Sequence, residues 1–220
     1  MVLSLMMAFS MMAAPPAVMA DTVISSGEWV ELVSYNTTDM AGIMRYAVSN
    51  SNGGSIIGYY DTFCIQGNVY ITPNTWYPVA SVSNIVGKFT STAGDGPLKG
   101  AVDYLFYRYK SGAYNLTSQA NQTDFQEFLW SLQGSGASYL PASTDQWYID
   151  YLAYNILANG LQHSWGTEVI NIASGINSDG RFIGPDIQNQ LYNQVPEPTT
   201  MLLLSLGLMG LAGVRRKFKK

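Results

Sequence analysis

The sequence predicts an α+β fold: a β-rich N-terminal half (sandwich or barrel-like), a helical insert, closing C-terminal strands and a C-terminal transmembrane helix. Three observations predict the body of it. From residue 21 to about 89, short runs of β-branched and aromatic residues are separated by turn residues. From Pro97 the apolar spacing changes to a helical period, and strand character returns after residue 167. Strands, then helices, then strands place a helical layer against a sheet.

Residues 28–35, 42–48, 56–60, 69–71 and 76–79 read as strands, divided by turn signals at 36–39, 50–54 and 67–68. Ala101, Leu105 and Tyr109 with Val102 and Phe106 form an i, i+4 stripe, and Pro97 is placed to start that helix. Thr123 and Gln126 have the spacing of a capping box opening a second helix, with Phe128, Leu129 and Leu132 as its apolar face and Gly134 as its stop. A third helix begins near residues 143–146, carries Trp147, Tyr151, Leu152 and Ile156, and ends at Asn159 and Gly160. Residues 168–172 and 190–195 close the fold as strands, and no internal repeat is visible.

The chain divides into residues 1–20, 21–195 and 196–220. The first is apolar and has small or β-branched residues around Ala20, the pattern of a signal peptide cut before Asp21, although no basic residue precedes Arg45. The middle span, about 175 residues, is the size of one domain and long enough to bury a core without metal or disulfide. It holds six Lys/Arg against 14 Asp/Glu, a net −8 where the whole chain is −4. That balance disfavours nucleic acid and anionic lipid as partners. Its uncharged polar surface, with 15 Tyr and 5 Trp in the chain, suits contact with a surface glycan or protein, although most of the aromatics belong in a core.

The last span begins Pro196-Glu197-Pro198, continues without charge from Met201 to Val214, and ends with five cations in six residues. The prolines keep the chain extended, and the cations hold the tail on the cytoplasmic side of a bilayer. The arrangement resembles the PEP-CTERM sorting signal of Gram-negative bacteria. The resemblance implies that an exosortase reads Pro196, Glu197 and Pro198, and that the protein is anchored in the inner membrane before it reaches the surface or matrix. From Pro198 to Val214 there are 17 residues, at the short end for crossing about 30 Å of hydrocarbon, which suits a sorting signal better than a permanent span.

Cys64 is the sole cysteine, so it is buried and inert, an intermolecular link, or a nucleophile. Downstream, Gln126 and Trp130 lie one turn apart on one face of the second helix. Phe63-Cys64 and Gln126-Glu-Phe-Leu-Trp130 together resemble the thioester domains of bacterial surface adhesins. The resemblance implies that the Cys64 sulfur displaces ammonia from the Gln126 carboxamide, with Phe63, Phe128 and Trp130 as shields. Such chemistry calls for thiolate character, from a polar or electropositive neighbour, and for a polarised amide oxygen. Tyr59 or Tyr60 is a candidate hydroxyl near the sulfur. The plain alternative leaves Cys64 a small core residue and Gln126 a capping residue.

Other chemistry is poorly represented. His163 beside Ser164 forms no catalytic arrangement by adjacency, and Asp145, Asp150 and Glu168 would have to converge in a cleft to serve an enzyme. One histidine and one cysteine exclude metal sites built from those residues, and no cofactor is expected. Residues 50–54 and 177–180 resemble fragments of calcium loops, but their letters suffice for turns. The expectation is therefore a non-enzymatic exported surface or matrix protein, either a covalent adhesin or a non-covalent carbohydrate-binding or structural component of an exopolysaccharide.

Overall fold

The computed structural model describes residues 22–35, 41–67, 69–87, 94–136, 138–157 and 165–193. The expected signal peptide, the expected sorting tail with its transmembrane helix, and His163 and Ser164 lie outside them. Strands β1 (Trp29–Tyr35), β2 (Met44–Ser49), β3 (Ile56–Thr62) and β4 (Trp76–Ser83) come first. A two-residue pair, β5 (Ile85–Val86) and β6 (Gly96–Pro97), leads into helices α1 (Gly100–Lys110), α2 (Gln119–Gln133) and α3 (Gln146–Leu157). Two long strands, β7 (Thr167–Ile176) and β8 (Phe182–Asn193), finish the domain.

The main sheet is antiparallel in the order β3-β2-β1-β4-β7-β8. Its two edges meet. Residues 63–65 continue β3 and pair with β8: Leu191 N–H donates to Phe63 O at 3.0 Å, Ile65 N–H donates to Asn189 O at 2.9 Å, and Cys64 lies opposite Gln190. Of the two architectures the sequence left open, the strands adopt the closed, barrel-like one. Closure removes the free edges that an open sheet would present.

Alternation of side chains along the strands then separates two cores. Inward residues such as Val30, Leu32, Tyr46, Val79 and Ile172 fill the ring, and Cys64 is among them. Outward residues Phe63, Ile65, Val169 and Leu191 meet α1, α2 and α3 through Phe106, Phe125, Leu129 and Trp147.

Local boundaries differ from the sequence expectations where local and tertiary signals conflict. Residues 69–71 form no strand. Pro97 belongs to β6 rather than the start of α1, whose N-cap is Lys99. Helix α2 begins at Gln119, where the Ser118 side chain accepts from the Asn121 N–H, so Thr123 and Gln126 are interior and form no capping box. The stop at Gly134 is as expected; its φ of 84° is the left-handed conformation that glycine adopts freely. Strand β8 begins eight residues before the 190–195 expectation. Residues 177–180 are the β7–β8 turn, with Asn177 Oδ1 accepting from the N–H of Asp179 and Arg181.

Candidate functional site

Because Phe63 and Ile65 direct their backbone bonds to β8, the N–H and C=O of Cys64 point the other way, away from that strand. There they meet α2. Gln126 lies in the middle of the helix, on the face turned to the ring, and its carboxamide completes the pairing as a neighbouring peptide group would. Cys64 N–H donates to Gln126 Oε1 at 3.1 Å, and Gln126 Nε2 donates to Cys64 O at 2.6 Å. One turn later, Trp130 Nε1 donates to the same carbonyl at 3.2 Å. The Cys64 thiol reaches Gln126 Oε1 at 3.5 Å.

Both Cys64 and Gln126 are fully buried, at 0% exposure. A carboxamide in this position is fixed at both ends. The N–H on its oxygen draws electron density from the carbonyl carbon and would also stabilise an oxyanion formed there. Burial excludes water from the same atoms. The thiol itself is kept neutral: burial pushes its pKa up, while the indole N–H of Trp130 and its own backbone pull it part of the way back. The thiolate character that the sequence called for is therefore not found: burial outweighs the N–H donors, and no cation contributes to the shift.

Of the residues singled out in the sequence, Cys64, Gln126 and Trp130 are brought together. Phe63 is not over the sulfur. It faces the helices, edge-on to Phe125 at 5.2 Å and Tyr109 at 5.1 Å, because adjacent strand residues point to opposite faces. Phe128 likewise packs on Tyr151 of α3. Both fasten α2 to its surroundings and so protect the pair indirectly. Tyr59 is exposed, whereas Tyr60 is in the ring core with Cys64.

Sequence reasoning missed Tyr46, an inward residue of β2. Burial first, then Tyr60 and Cys64, raise its phenol well above the ordinary range. It also missed Gly67 and Gly136. A Cβ on Gly67 would come within 3.2 Å of the Trp130 ring, and one on Gly136 within 3.0 Å of the Trp130 Cβ, so both glycines permit the indole to sit tightly against the site. In the sequence Gly67 reads only as a turn signal, and nothing local marks Gly136.

The other candidate residues do not converge. Asp150 accepts from Arg108 at 3.1 Å, Tyr114 at 3.0 Å and Gln146 at 2.9 Å, a structural role, while Glu168 lies exposed on β7. Among the described residues, no group of three or more His, Cys, Asp and Glu side chains is placed to hold a metal ion.

Comparison with protein-family models matches residues 194–217 to the PEP-CTERM protein-sorting motif. The chain carries an exosortase sorting signal. That motif contains Pro196, Glu197 and Pro198, begins directly after β8, and marks the protein for export and for a surface or extracellular location. Neither the characterised proteins nor the solved structures compared with it gave a match. No helix among the described residues is long and apolar enough to cross a membrane.

Proposed function

We propose that this is a non-enzymatic surface or matrix protein that attaches covalently to its partner through an internal thioester between Cys64 and Gln126. The observation that supports the reading is the seating of the Gln126 carboxamide: held at both ends by the Cys64 backbone, with the sulfur 3.5 Å from its oxygen. In the formation step, Cys64 Sγ attacks Gln126 Cδ. The S–C bond forms, the Cδ–Nε2 bond breaks, and the thiol proton passes to the nitrogen, which leaves as ammonia. A partner's amine or hydroxyl then opens the thioester, becomes bonded to Cδ of residue 126, and returns its proton to the sulfur. The electrophile is consumed once, so there is no turnover.

The glycan-binding alternative needs an aromatic row on an exposed face. The exposed tyrosines, Tyr35, Tyr59 and Tyr70, instead come from β1, β3 and the segment after Gly67, and no observation draws them together.

The test is the intact mass of the purified protein before and after methylamine, beside a Cys64→Ala variant. The expected result is a native mass lighter by one ammonia, a methylamine adduct on residue 126, and neither change in the variant. A full mass with no adduct overturns the covalent reading.

A further inference from the structure

The outward face of α3 is apolar and uncovered. Ile149 and Leu152 are each 44% exposed and Ile156 is 76% exposed, at a spacing that places them in one stripe. The helix has one charged residue, Asp150, and that is turned inward onto Arg108 and Tyr114, so the outer stripe carries no charge.

The stripe lies beside the point where the chain leaves the domain. Asn193, the last residue of β8, donates to Trp165 O at 3.1 Å and to Thr167 Oγ1 at 3.0 Å. The Trp165 ring packs on Tyr104 at 5.0 Å and on Tyr107 at 5.5 Å. Tyr104 in turn stacks on Tyr154 of α3 at 5.4 Å. A group of half-buried Tyr and Trp side chains thus joins the exit strand to α3, and such rings favour the headgroup level of a bilayer.

Seven residues, 194–200, separate Asn193 from the apolar run that starts at Met201. Fully extended they reach about 25 Å, less than the width of a domain of this size. A domain on so short a leash holds its exit end against whatever surface receives the tail.

We infer that, before sorting, the α3 stripe and the Tyr104–Trp165 aromatic group rest on the outer leaflet of the membrane holding the tail, with zwitterionic lipid as the occupant. The inference rests on the apolar tail being membrane-inserted at that stage. Zwitterionic lipid is specified because the domain is −8 overall and the stripe has no cation to attract anionic headgroups. Release of the tail frees the same face, so docking belongs to the anchored form alone.

The test uses the full chain in phosphatidylcholine–phosphatidylethanolamine vesicles, with an environment-sensitive fluorophore on Leu152→Cys, Ile156→Cys or Ser178→Cys. The buried Cys64 of the parent chain serves as the labelling blank. Ser178 lies in the β7–β8 turn, about 30 Å from the exit end along a ten-residue strand. The expected result is a blue shift and quenching by spin-labelled lipid at 152 and 156, with neither at 178. If the chain floats with the vesicles and all three probes report water, docking is overturned while the anchored reading stands. If the chain does not float, the anchoring fails and the inference with it. A blue shift that lipid does not quench, and that grows with protein density, would overturn it in favour of a second copy of the chain.

Discussion

Replacing Gln126 by Leu separates what the carboxamide does for the fold from what it does chemically. The shape is nearly kept, so the loss is polar. Cys64 N–H, in a residue with 0% exposure, is left without its partner, which costs about 1–3 kcal/mol. Cys64 O retains the Trp130 donor and loses the shorter of its two bonds, adding about 1 kcal/mol. In a Cys64→Ala background, where no thioester exists, Gln126→Leu should therefore destabilise by about 2–4 kcal/mol.

In the unmodified background a thioester would add a cross-link between residues 62 apart, whose chain-entropy contribution is about 4 kcal/mol at 25 °C. The thioester lacks the Nε2 donor, so the coupling energy of the double-mutant cycle should be about 3–4 kcal/mol. Urea unfolding of all four proteins measures it, and thermal unfolding should show each kcal/mol as roughly 2–4 °C. A loss under about 0.5 kcal/mol in the Cys64→Ala background would refute the backbone pairing of the carboxamide, since an orphaned buried N–H cannot be so cheap. A coupling energy near zero would refute the cross-link and leave the pairing intact.

Three further outcomes are expected. In protein with a free thiol, the raised pKa of Cys64 relative to its ordinary 9.0 means that its contribution is fully present below the unfolded-state value and is lost as pH rises; urea midpoints should fall from about pH 8.5 upward, and Cys64→Ala should lack that first decline. The buried Tyr46 phenol adds a loss beginning near its ordinary 10.0 in both proteins, so equal profiles below that pH would contradict the burial argument. Asp103→Ala removes the acceptor for Trp165 N–H at 2.9 Å and Thr167 N–H at 3.0 Å and should lower stability by about 2–4 kcal/mol in urea titration, with an effect below half a unit of that range counting against it. Ser118→Ala removes the bond from Asn121 N–H at 3.2 Å and should cost about 1 kcal/mol, read as a downward shift of the thermal midpoint.

Strands β1 to β4 were legible from their β-branched and aromatic runs between turn residues; alternation survives in β1, as in Val30 and Leu32, whereas β2 and β4 are buried on both faces over much of their length. The hydrogen-bonded pairing of Cys64 with Gln126 joins residues 62 apart, and neither strand alternation nor helical period in the letters places it. What escaped was nonlocal. Gln188, Asn189 and Gln190 are buried although their letters argue for a loop. Their polarity is only partly matched: Asn189 Oδ1 takes the Ile172 N–H that a bulge leaves over and Gln190 Nε2 donates to Gln188 O, while Gln188 Oε1, Asn189 Nδ2 and Gln190 Oε1 have no hydrogen-bond partner among the described residues. The Ser118 cap was overlooked because Thr123 and Gln126 happened to have capping-box spacing a turn later. That Phe63 and Cys64 would face opposite cores follows from period 2, but which core holds the sulfur is settled only when β8 arrives.

That arrival has a consequence for timing. Residues 63–65 and their partners 189–191 are separated by more than half the chain, and β8 is the final piece of the domain to emerge during synthesis and export. Long-range closure of this kind is slow to form. Until it happens, β3 is held in register only as far as Thr62 opposite Met44, and residues 63–65 lack the β8 bonds that turn the Cys64 backbone toward α2. The pairing of the Cys64 backbone with the Gln126 carboxamide is therefore completed only after the whole domain has emerged. On the thioester reading, amines met on the way out would encounter an ordinary thiol and an ordinary amide, and the bond would form only at the destination.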